Sequence, residues 1–244
     1  MFTLQKLSLL LVGTTIVFMG VKPANAITIS RGGVNNNDGQ GLVSGISGTT
    51  TINFNNGQTS TPDGFAKFSS NGSAPTIVQG NIAGQYAEPA GDTSPFLAVS
   101  PQINSLSSTP GFGEVTINFA QALDYFGFYW GSVDTFNHVL LFNGDQLVGN
   151  FSGSDVPGTT ATGNQTSAQD NTFVNFFANN KGEDFNTVVL LSTGNAFETD
   201  NFAYRKVPEP SAMFGLLAFG AVGAISALKR KQKTDIVTFW TFDK

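Results

Sequence analysis

Asp124-Tyr125-Phe126-Gly127-Phe128-Tyr129-Trp130-Gly131-Ser132-Val133-Asp134 is the stretch whose reading decides the fold. Its large side chains recur every second residue. An extended chain points successive side chains to opposite faces, so Phe126, Phe128 and Trp130 share one face and Tyr125, Gly127 and Tyr129 the other. Aromatic residues also suit a pleated, half-buried surface. Two uses of this strand are open. It can be a central strand whose rings fill a core. Alternatively Tyr129 and Trp130, at the strand end before Gly131, can form a stacking platform for a sugar ring, flanked by acids.

Working outward, short segments rich in Thr, Val, Ile and Phe recur between clusters of Gly, Asn, Asp, Ser and Pro: 49–54, 65–68, 96–99, 115–119, 125–130, 136–142, 172–178, 187–191 and 196–204. Helix-period runs are missing between them. This pattern predicts an all-β domain over 27–206, a single jelly-roll-like antiparallel β-sandwich. Asn143-Gly144-Asp145, between two apolar segments, predicts a tight hairpin. The polar, glycine-bearing stretches 35–41 and 152–171 are too hydrophilic to supply a core and read as surface loops.

Both ends of the chain differ from the middle. Residues 1–26 have the form of a secretory signal peptide: Lys6, an apolar stretch over 7–21, and the small-x-small site Ala24-Asn25-Ala26, which predicts signal peptidase as a partner. Residues 211–228 carry no charge and, at about 1.5 Å per residue, would span roughly 27 Å as a helix, close to a bilayer's hydrocarbon thickness. Lys229-Arg230-Lys231-Gln232-Lys233 follows, the basic stop expected on the cytoplasmic side of the inner membrane.

Directly before that apolar run stands Val207-Pro208-Glu209-Pro210. The order of Pro-Glu-Pro, apolar helix and basic cluster over 207–233 resembles the PEP-CTERM sorting signal. The resemblance implies a second partner, an exosortase, which cleaves near Pro208, Glu209 and Pro210 and passes the protein to the cell surface or matrix. The tail 234–244, with Ile236, Val237, Phe239, Trp240 and Phe242, departs from that pattern and has no assigned role. Within the middle, the aromatic strand, Ala90-Gly91-Asp92-Thr93, Phe142-Asn143-Gly144 and Phe197-Glu198-Thr199-Asp200-Asn201-Phe202-Ala203 resemble exosortase-dependent surface proteins of cyanobacterial type. That likeness implies a secreted β-domain without defining its activity.

Charge and composition narrow the function classes. Residues 27–206 hold 14 acids against five lysines and arginines, a formal −9, compared with −5 for the whole chain. Such a domain repels nucleic acid and anionic lipid. With no cysteine, it must be held by its core, aided at most by a metal ion. An Asp-Asn pair in a last strand resembles carbohydrate-binding sandwich modules and implies a structural Ca²⁺ seeded by Asp200 with Asp38 or Glu198 as partner.

Catalysis finds little footing. A chain without cysteine and with one histidine, His138, has no thiol nucleophile and no multi-histidine zinc site. His138 sits in a strand-like segment with no Gly-x-Ser-x-Gly nearby. The expectation is therefore a non-catalytic surface or extracellular-matrix protein that is glycan-binding or matrix-associated, with exopolysaccharide as a partner. The alternatives are a glycoside hydrolase-like enzyme using a carboxylate pair and a self-associating coat protein.

Overall fold

The computed structural model describes residues 27–36, 38–70, 75–103, 105–106 and 109–208. The strands, in chain order, are β1 (Thr28–Arg31), β2 (Val34–Asn35), β3 (Leu42–Val43), β4 (Thr50–Ile52), β5 (Ala66–Ser70), β6 (Thr76–Val78) and β7 (Phe96–Val99). They continue as β8 (Ser105–Leu106), β9 (Thr109–Gly131), β10 (Asn137–Asn143), β11 (Gln146–Ser152), β12 (Thr172–Phe177), β13 (Phe185–Ser192) and β14 (Phe197–Lys206). Among the described residues the only helical turn is a 3₁₀ turn at Gly153–Asp155, so the all-β expectation holds. The signal-peptide and membrane-helix expectations, on 1–26 and 211–228, lie outside the described residues, as does the tail 234–244. No described helix is long and apolar enough to cross a membrane.

The expected segments 115–119 and 125–130 prove to be two halves of one strand, β9. Its first half pairs with β13 on one side and β5 on the other, through Val115–Phe119. Its second half pairs instead with β12 and β14, through residues 123–131. The β13 register slips between Phe185 and Thr187, opposite 118–123, and there β9 passes from one layer to the other. Twelve strands therefore form one antiparallel sheet that curls on itself around the core, and β2 and β3 pair as a separate two-stranded sheet. A slip in register bends the chain locally, which is how a curled sheet turns its corner.

The curl closes on phenylalanine. Phe151 of β11 and Phe176 of β12 come from opposite layers, and their rings lie 5.3 Å apart. Phe68 of β5 stacks on Phe202 of β14 at 5.9 Å, and Phe65 on Tyr204 at 5.1 Å. Phe126, Phe128 and Trp130 all lie in this core, on the face the alternation assigned them. Each fully buried aromatic removes on the order of 150–250 Å² from water, which is how a cysteine-free domain is held.

Tyr125 and Tyr129 point the other way, into a smaller cluster with Phe173 and Ala203, covered by Leu42 and Ile46. Gly127 separates the two tyrosines because a Cβ there would lie 2.6 Å from the Tyr125 hydroxyl and 2.8 Å from the Phe173 ring. The hairpin of β10 and β11 turns through Gly144 and Asp145, with Asn143 opposite Gln146 and Gly144 at φ +56°.

Candidate functional site

The longest run of buried polar residues among the described residues is Glu198-Thr199-Asp200-Asn201, in an interior strand, β14. Strand alternation would put Asp200 on the same face as Phe202. The structure separates them with a bulge: Asp200 is opposite Tyr129 and Ala203 opposite Gly127, so Asn201 and Phe202 together face Phe128. Asn201 takes φ +53°, a left-handed conformation that asparagine tolerates better than most residues. Phe202 consequently enters the core, while Asp200 stays on the outer face beside Tyr129.

That outer face is roofed. Asn201 Nδ2 donates to the carbonyls of Gln40 (2.5 Å) and Leu42 (3.1 Å). Gly39 O accepts from Thr93 N at 2.9 Å, and Gln40 bridges to Asp92. Gly41, at φ +66°, lies flat on the ring of Tyr129, where a Cβ would come within 2.5 Å of a ring carbon and 3.0 Å of Asp92 Oδ2. Tyr129 donates its hydroxyl to Ala90 O.

Under this roof Asp92 and Asp200 meet. They are 1 % and 0 % exposed. Ser94 Oγ donates to Asp92 Oδ1 (2.5 Å) and reaches Asp200 Oδ2 (3.2 Å), and Ser94 N donates to Asp92 Oδ1 at 2.9 Å. The remaining oxygens, Asp92 Oδ2 and Asp200 Oδ1, are buried with no donor. Burial, then the charge of Asp92 and its carboxyl within hydrogen-bonding reach, push Asp200 up to about 8. Burial and then Asp92 also raise Tyr129 well above the usual phenol value.

Two other acids, Glu198 and Asp170, have hydrogen-bond donors on both carboxyl oxygens. Glu198 Oε1 accepts from Ala87 N (3.0 Å) and Oε2 from Ser132 Oγ (2.8 Å), and burial pushes the carboxyl up to about 7. In the 160–171 loop, burial acts to raise Asp170, but hydrogen bonds from the hydroxyls and amides of Thr160 and Thr162 outweigh it and hold the carboxyl well below its usual range. Burial and then Asp170 push nearby Asp134 up to about 6. Asn171 ties the ends together, accepting from Ala90 N and Ser132 N at 2.9 and 3.1 Å.

Several expectations change against this geometry. Asp38 is exposed, and the carboxyl set against Asp200 is Asp92, not Asp38 or Glu198. Tyr129 and Trp130 are 2 % and 0 % exposed, so neither offers a ring face to a sugar; both are packed inside the fold. His138 is a half-buried strand residue between Ser152 and Leu191, and burial lowers its pKa. Of the processing residues, Pro208 is exposed just beyond β14, whereas Ala24, Ala26, Glu209 and Pro210 lie outside the described residues. Among the described residues no three acidic or histidine side chains gather as a metal site.

Comparison with known proteins adds no relative. No family model, curated protein or solved structure matches the chain.

The site can therefore be judged on its chemistry alone. Two carboxyls in mutual hydrogen-bonding reach are closer than the roughly 5–5.5 Å of a retaining glycosidase pair, and the roof excludes a substrate. The arrangement can hold a proton or a cation. The sequence marks half of it: four polar residues between Phe197 and Phe202 break the alternation of an otherwise apolar strand. Ser94 and Asp200 are 106 residues apart, and nothing local pairs them.

Proposed function

We propose that this chain is an exported, non-catalytic surface or extracellular-matrix protein, with a jelly-roll-type β-domain released from a temporary membrane anchor by an exosortase. The observation that carries the reading is the ordered signal at 207–233, Pro-Glu-Pro then apolar run then basic cluster, together with the signal-peptide pattern at 1–26. The position of the fold's end supports it. The last strand stops at Lys206, Val207 N donates to Ala122 O at 3.0 Å, and Pro208 is exposed directly after. A protease acting beside Pro208 would meet an exposed residue next to the last hydrogen bond to the sheet.

A matrix role suits an acidic domain whose Asp92–Asp200 pair is roofed over. Exopolysaccharide is the proposed partner, met by the exposed polar surface, since Tyr129 and Trp130 are buried. The test is mass spectrometry of the protein recovered from the surface of its native host. A C-terminus near 208–210 and an N-terminus at Ile27 are expected. Intact protein ending at Lys244 and held in the membrane overturns the sorting reading.

A further inference from the structure

We propose that Asp92 and Asp200 hold a Ca²⁺ ion beneath the roof formed by Gly39, Gln40 and Gly41. This does not depend on how the chain is sorted. The first observation is the pair itself, two almost completely buried carboxyls brought together from β14 and the 90–94 turn. The second is that each carries a buried oxygen without a donor, Asp92 Oδ2 and Asp200 Oδ1. A buried acceptor left unpaired is costly, and a buried charge without a counter-charge more so.

The surroundings do not supply that counter-charge. The groups acting on the Asp200 carboxyl are Asp92, Ser94 and the Asn201 backbone, with no lysine or arginine among them. Arg205, in the same strand, is engaged with Asp124 at 2.8 Å. The Tyr129 hydroxyl, close enough for its pKa to feel Asp92, is turned to Ala90 O. A proton shared between the carboxyls would satisfy one contact and leave a buried negative charge. A divalent cation balances both charges and occupies both orphan oxygens.

The donor chemistry selects the ion. The polar atoms of the site are the carboxylate oxygens of Asp92 and Asp200 and the Ser94 hydroxyl, with no thiol or imidazole, which disfavours zinc. Ca²⁺ accepts an irregular set of oxygens and carboxylates that bind through both oxygens, whereas Mg²⁺ demands near-ideal octahedral geometry and keeps several waters, for which a roofed site has little room. The bulge at Asn201 then has a purpose: it leaves Asp200 outside while Phe202 goes in, and the Asn201 amide fastens the roof above it.

The test uses the full-length chain, stripped with chelator, in calorimetric titration and thermal unfolding. Ca²⁺ at about 100 times its Kd is expected to bind one ion per chain and raise Tm by several °C, Mg²⁺ much less. Asp92→Asn and Asp200→Asn should each lose the Ca²⁺ response, and Asp38→Asn should keep it. In chelator, Asp92→Asn should unfold at or above the wild-type temperature, because it removes like-charge repulsion. Wild-type protein showing no heat and no Tm change with Ca²⁺ overturns the proposal and leaves a shared proton. Retention of the full response by Asp92→Asn overturns it equally, since the ion would then sit elsewhere. If Asp200→Asn does not fold, the wild-type titration and Asp92→Asn still decide.

Discussion

At the scale of single residues, the roof rests on a glycine that no other residue replaces cheaply. Gly41 combines a left-handed backbone with direct contact to Tyr129 and Asp92, whereas Gly80, at φ +81°, has open space where its Cβ would be. Gly80→Ala therefore isolates the backbone strain, about 1 kcal/mol, and Gly41→Ala adds overpacking, for a total of about 2–4 kcal/mol. Comparing the two midpoints in denaturant checks this, and equal midpoints would refute the close packing of roof on ring. Glu198 gives a pH signature. Its folded pKa of about 7 stands above the ordinary 4.5, so between those values the folded protein holds a proton that the unfolded chain has lost. The unfolded state then binds fewer protons, and stability falls as pH rises through that window. Asp134, raised to about 6, acts in the same direction. In chelator the melting temperature should drop between about pH 5 and pH 8. Glu198→Gln should recover part of that loss, on the order of 1–3 kcal/mol at pH 8. Depressed Asp170 acts oppositely, and its contribution is lost only in strong acid.

At the scale of elements, the β14 bulge is a device for putting an acid and a phenylalanine, two residues apart, on opposite faces. Deleting Asn201 would restore plain alternation and force Asp200 and Phe202 onto one face, so that variant is expected not to fold. Asn201→Gly keeps the backbone conformation but loses both bonds to the roof. It should fold, at a cost of about 1–3 kcal/mol, with faster amide hydrogen exchange over 39–42. The same element shows what a sequence can and cannot reveal. Alternation along 125–130 assigns Phe126, Phe128 and Trp130 to one face and the tyrosines to the other, because side-chain period is a local property. The union of 115–119 and 125–130 into β9 is not legible, since Ala120 to Asp124 read as a connection and become the corner of the sheet only through pairing with β13 and β14. The Asp92–Asp200 pair is illegible for the same reason. Its two halves can be marked as polar segments, but only long-range pairing brings them together. Asp38 fails as partner because nearness to a glycine-rich loop says nothing about which of its residues face inward.

At the scale of the whole molecule, β9 is the hinge of the architecture, partner to strands on both sides of the core. Its partner β14 is the last strand among the described residues yet lies inside the sheet, flanked by β9 on one side and by β4 and β7 on the other. A chain ending before Phe197 would leave the edges of β9, β7 and β4 open and Phe54, Phe126 and Phe128 without Phe202. Truncation at residue 196 is therefore expected to give an aggregating, protease-sensitive product, with loss of near-UV circular dichroism as the readout. The consequence reaches into the timing of the protein's life. A sheet whose inner strand follows the other described strands in the sequence is completed only once that strand, β14, has been made. Here lateness is written into strand order, and the same short segment that completes the sheet also sets the moment at which the domain becomes compact.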